Sequence, residues 1–129
     1  MQDEPTPTEI LAAVAAFLRH TIVPDASPHT GFQARVAANA LDLVARQIAL
    51  APGTDAEERE RLAALLGREG DLGELNRALA EAIAGGALDP ATPGLHDHLF
   101  ATTLAKLAVD QPNYSGYRAA LDAAQRKGD

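Results

Sequence analysis

At the head of four apolar runs, a threonine or aspartate is followed three residues later by glutamate or glutamine: Thr6 with Glu9, Thr30 with Gln33, Thr54 with Glu57 and Asp71 with Glu74. In such a pair the first side chain accepts from the amide three residues on. The second reaches back to the first amide, so two donors left orphaned at a helix start are satisfied together. Four such starts in 129 residues leave little chain for anything but helices. Pro7 and Pro93 follow Thr6 and Thr92, at a first helical position where the missing N–H costs nothing. The stops agree, because Pro24, Pro52-Gly53, Gly67, Gly85-Gly86 and Pro112 each close an apolar run.

Between these signals the period is helical throughout. The first helix is expected over 6–21, with Ile10, Val14, Phe17, Leu18 and Thr21 on its inner face, followed by a loop over 24–30. The second opens at Thr30 and ends before Pro52. Its apolar positions Phe32, Val36, Ala40, Leu41, Leu43, Val44 and Ile48 cover so wide an arc that it is expected at the centre of the bundle. The third carries Leu62, Leu65 and Leu66 up to a left-handed Gly67, and the fourth carries Leu72, Leu75, Leu79, Ala82 and Ile83. A linker over 87–92 turns Leu88 inward. A fifth helix runs to about Asp110 with Leu95, Leu99, Phe100, Leu104 and Leu107, and Tyr114, Tyr117 and Leu121 mark a short last one. Residues 1–5 and 126–129 are expected to fray. The expectation is therefore an all-α, single-domain bundle over 1–129, with about six helices joined by short Pro/Gly loops.

Composition excludes several function classes. With no cysteine there is no disulfide, thiolate nucleophile or sulfur-ligated metal. A net charge of -7 is the wrong sign for a phosphate-backbone partner. No apolar run approaches a bilayer span of roughly 20 residues, and the start through Pro5 is acidic, without the basic and apolar regions of a secretory signal. A cytoplasmic protein that binds neither membrane nor nucleic acid is expected.

Catalytic constellations are not found either. His96 and His98 are two apart, about 200° around a helix axis, and so cannot share one metal ion; both read as surface residues. Ser27 and Ser115 lie in no strand-to-helix turn, and Gly67, Gly70 and Gly73 follow no strand that would make a phosphate loop. Glu57, Glu58 and Glu60 alternate with Arg59 and Arg61 as a solvated, ion-paired face. No metal, cofactor or catalytic residue is expected. One polar set stands out: Arg35, Asn39, Asp42 and Arg46 recur at steps of four, three and four among small apolar residues. Lys106 and Asp110 on the fifth helix, just before the Pro112-Asn113-Tyr114 turn, are its expected partners. Two readings stand. Either Arg35 and Asp110 belong to a structural network, or Arg35 with Lys106 receives an anionic group, with Asn39, Asp110 and Tyr114 beside it.

Through the segments 32–41 (FQARVAANAL) and 104–114 (LAKLAVDQPNY), with the 7–11 opening and the Gly70-Asp71-Leu72 turn, the chain resembles an uncharacterised bacterial family of small helical domains. The resemblance runs from about Pro5 to Tyr114. Members are encoded beside or fused to aminoglycoside-phosphotransferase-like kinases and near acyl-CoA dehydrogenases. It implies a context, with no activity and no catalytic residue to carry over. The leading expectation is a non-enzymatic accessory domain that works with such a kinase through an apolar patch around Phe100, Tyr114 and Tyr117. The alternative is a binder of an anionic small molecule such as an acyl-CoA, or an enzyme of unrecognised type, with a pocket between helices two and five. A homodimer through the wide arc of either helix is compatible with both.

Overall fold

In a computed structural model that describes residues 3–128, every regular element among the described residues is helical. In chain order these are α1 (Pro7–Phe17), a π-helical turn Leu18–Ile22, the single turn α2 (Val23–Asp25), α3 (Pro28–Leu66), α4 (Leu72–Ala84), α5 (Leu95–Asp110) and α6 (Ser115–Gly128). Met1, Gln2 and Asp129, three of the positions expected to fray, lie outside the described residues. Residues 126–128 form the last turn of α6.

Two of the four expected starts form as written. Glu9 N–H donates to Thr6 Oγ1 at 3.3 Å while Thr6 N–H donates to Glu9 Oε2 at 2.7 Å. The same exchange joins Asp71 and Glu74 at 2.8 and 3.2 Å. The other two correct the expectation. Ser27 Oγ, not Thr30, receives the first-turn amide of α3, from Thr30 N–H at 3.3 Å, and Pro28 follows it as the first helical residue. Thr54 lies inside α3, because the helices expected to end at Pro52 and restart at Thr54 are one helix of 39 residues. Proline removes only its own donor, so the cost is confined to the carbonyl of Ile48 and the turn around it. Thr92 faces backward: its hydroxyl accepts from Asp89 N–H at 2.9 Å in a turn, and α5 begins two residues beyond Pro93, behind Gly94.

The first helix also outlasts its expected end. Val23 N–H reaches the carbonyl of Leu18, five residues back, immediately before Pro24. A proline ring crowds the carbonyl four residues before it, and the widened turn gives that carbonyl room.

By its contacts the chain divides into two compact units, Met1–Ala51 and Pro52–Asp129, and the division falls at the proline within α3. In the first unit the buried side chains are small: Ala15 on α1, Ala34 and Ala38 on α3, with Gly31 one turn earlier. Leu11, Leu18 and Ile22 are half-buried beside Ala15. Of the expected inner face of α1 and the turn that follows it, Leu18 is kept and the rest is exposed. Ile10, Val14 and Phe17, four and three residues apart on α1, are exposed, Phe17 at 52%. On α3, Phe32, Val36, Leu43 and Leu50 share a second exposed stripe, Phe32 at 61%, and Val44 and Ile48 are exposed as well. The arc expected to put this helix at the centre of a bundle is thus uncovered, because the buried face is the one lined with glycine and alanine.

The second unit is built the ordinary way. Leu62 of α3, Leu75 and Leu79 of α4 and Leu95 of α5 form a closed core, with Leu65, Leu66, Leu72 and Leu88 packed around it. Leu88 turns inward as expected. Gly67, at φ +65°, ends α3 in the left-handed conformation that a side chain would resist. Along α5 the inner stripe is Leu95, His98, Thr102, Ala105 and Val109, while Leu99 and Phe100, both expected inside, are exposed.

Candidate functional site

The polar stripe of α3 has a partner that no local pattern announces. Arg19, in the π-helical turn, places Nη2 2.6 Å from Asp42 Oδ2 and 2.8 Å from Asn39 Oδ1. The widened turn between α1 and α2 carries this guanidinium, and the small residues of α3 admit it to the helix edge. Arg19 and Asp42 are each about one-third exposed, so the pair is worth at most about 1 kcal/mol. Asn39, one turn from Asp42, is fixed by the same fork. Arg35 is exposed one turn further back and, with Arg19, Val23 and Asn39, lines a cleft of about 290 Å³.

Of the residues singled out in the sequence, Arg35 and Asn39 come together here. Lys106, Asp110 and Tyr114 belong to the second unit. Lys106 and Asp110 are exposed on α5. Tyr114 is 52% exposed; its amide donates to Gln111 O at 3.0 Å, and its ring lies over Gly116, where a Cβ would come within 2.7 Å of it. Within the first unit Arg35 shares its cleft with the polar side chains of Arg19 and Asn39.

A second polar group was missed in the sequence. His98, expected at the surface, is 2% exposed on the inner stripe of α5, and its Nδ1 has no hydrogen-bond partner. Arg61 Nε on α3 and Thr102 Oγ1, one turn beyond His98, are likewise buried without partners. Burial holds the His98 imidazole below its ordinary value; the Arg61 charge pushes the same way, and Glu58 opposes both. Glu58 itself accepts from Asn76 Nδ2 at 2.8 Å. The signal that could have found His98 was the three-four spacing that sets it in line with Leu95, Thr102 and Val109. His96, by contrast, is exposed and stacks on Phe100, with ring centroids 6.2 Å apart.

Among the described residues no three His, Asp or Glu side chains gather as a metal site, and no helix is long and apolar enough to cross a membrane. Compared with known families, residues 24–114 match one described as a domain of unknown function, DUF6285. No curated protein and no solved structure matches the chain.

Proposed function

Since the chain belongs to the DUF6285 family, a premise that carries no activity with it, we propose that this protein is a non-enzymatic interaction domain whose first unit docks on a protein partner. The observation that carries the reading is the exposure of Phe17 and Phe32 with the apolar stripes on which they lie. Monomeric proteins rarely leave so much large apolar surface on one small unit uncovered. Aromatic residues with an arginine among them are the composition of an interface centre, and Arg35 lies one turn from Phe32. The Arg35 charge beside Phe32 fits a partner whose apolar patch is rimmed by carboxylates. The partner proposed is an aminoglycoside-phosphotransferase-like kinase, the protein class that the sequence resemblance sets beside such domains.

Mixing the purified chain with the adjacent kinase-like protein tests this. A one-to-one complex at micromolar concentration is expected, weakened at least tenfold by Phe32→Ser and by Arg35→Glu. Absence of a complex, or a complex indifferent to both substitutions, sinks the proposal, and sedimentation of the chain alone reveals whether a second copy covers the stripes instead.

A second reading, that an anionic small molecule binds in the first unit, is favoured by the cleft shared by Arg19, Arg35 and Asn39. In that case anions stabilise the wild type thermally and leave Arg35→Ala unchanged.

A further inference from the structure

The start of α5 differs from those of α1 and α4. Thr6 and Asp71 cap the latter two with side-chain oxygens, whereas Gly94 stands before α5 with φ +86° and no side chain to offer. The first-turn amides of α5 are left without the side-chain acceptor that the others have. At this terminus lies a cleft of about 320 Å³, with Arg61, Asp97 and His98 as polar lining and Ala64, Leu65 and Pro93 as apolar lining.

Two of those polar side chains carry the buried, unpartnered atoms already described, Arg61 Nε and His98 Nδ1. A buried polar group left unmade is costly, and natural proteins keep few of them without a use. No carboxylate among the described residues lies within ion-pair distance of Arg61. A half-buried guanidinium, an uncapped helix start and a buried histidine with an unpaired nitrogen therefore converge on one cleft with an apolar wall.

We propose that this cleft binds the carboxylate of a small organic acid. The Leu95 amide already donates to Thr92 O at 3.3 Å, so the carboxylate sits on the Arg61 guanidinium and the His96 and Asp97 amides, and the apolar body of the acid lies against Ala64, Leu65 and Pro93. The apolar wall of Ala64, Leu65 and Pro93 selects an acid with an apolar body, which inorganic phosphate lacks. Asp97, at the rim with a side chain 94% exposed, is a like charge that weakens the binding of any anion. His98 is neutral near pH 7 and adds a polar contact without adding charge. The cleft shares no residue with the apolar stripes or the Arg19–Arg35 cleft, so this proposal goes beyond the partner reading and stands or falls separately.

The test is a titration of the full chain with benzoate, acetate and inorganic phosphate, followed by the ring resonances of His98. Saturable shifts with benzoate are expected, weaker ones with acetate and none with phosphate. Arg61→Met should weaken benzoate at least tenfold. Asp97→Asn, at an exposed position that leaves the fold intact, should tighten it about threefold by removing one like charge, and Arg35→Ala should change nothing. No saturable shift with benzoate overturns the proposal, as does binding of phosphate equal to that of benzoate. If Arg61→Met fails to fold, benzoate binding that Asp97→Asn leaves unchanged overturns it on its own.

Discussion

Up to Ala51 the chain buries alanine and leaves phenylalanine outside; after Pro52 it buries leucine and closes the core. In the first unit Ala15, Ala34 and Ala38 take the inside while Phe17, Phe32 and Val36 face outward. In the second, Leu62, Leu75, Leu79 and Leu95 are sealed by four further leucines. The helix-forming residues are of the same kind in both, so the difference lies in which face meets a neighbour. Small faces let helices approach closely but remove little apolar area from water, at about 25 cal/mol per Å². The first unit therefore gains less from its own packing than the second and keeps apolar surface in reserve for something else.

Substitutions can break this contrast, beginning with the largest effect. Leu62→Ala or Leu75→Ala should destabilise the protein by about 2–5 kcal/mol, read by urea unfolding, because each side chain is fully buried and leaves a cavity. Pro52→Ala should act in the opposite direction. It restores a donor to the carbonyl of Ile48 at the junction of the two units and should stabilise by up to about 3 kcal/mol, with a gain in helical circular dichroism. No gain would mean that the proline already sits in a local geometry that makes no demand for the donor.

Arg19→Ala probes the polar tie of the first unit. A loss of at most about 1 kcal/mol is expected, shrinking with added salt, since the pair with Asp42 is partly solvated. The second unit has its own titrating group in His98. The fold holds this imidazole neutral, so unfolding takes up a proton. Stability is full above the ordinary value of 6.5 and is lost as pH falls below it toward the depressed folded value. Urea midpoints should therefore drop more steeply as pH falls below 6.5 for the wild type than for His98→Gln. The smallest effect belongs to Phe32→Ser, which should alter stability by no more than about 0.5 kcal/mol despite removing a large aromatic.

The helical class and two caps were legible because a cap is local: Thr6 with Glu9 and Asp71 with Glu74 need only three residues and a backbone turn. Which face turns inward is not local. Ile10, Val14 and Phe17 form as good a stripe as Leu11, Ala15 and Leu18, and period alone ranks the larger side chains first. The structure buries the smaller, and that choice depends on residues distant in sequence, Ala34 and Ala38 being buried together with Ala15. Arg19 was missed for the same reason, since Asn39 and Asp42 lie 20 and 23 positions along the chain. His98 was hidden by its neighbours: His96, Asp97 and Leu99 are all exposed, and only the register of the inner stripe sets it apart. Pro52 read as a stop because proline usually is one, yet one missing donor in 39 residues does not end the helix.

Amide hydrogen exchange of the chain on its own, resolved residue by residue, tests the contrast between the units most directly. Amides around Leu62, Leu75 and Leu79 should exchange only through the global opening, while those of α1 and of α3 before Pro52 exchange through smaller, local openings. Uniform protection across both units would contradict the account, since it would mean that the first half is held as firmly by its alanine contacts as the second is by its leucine core.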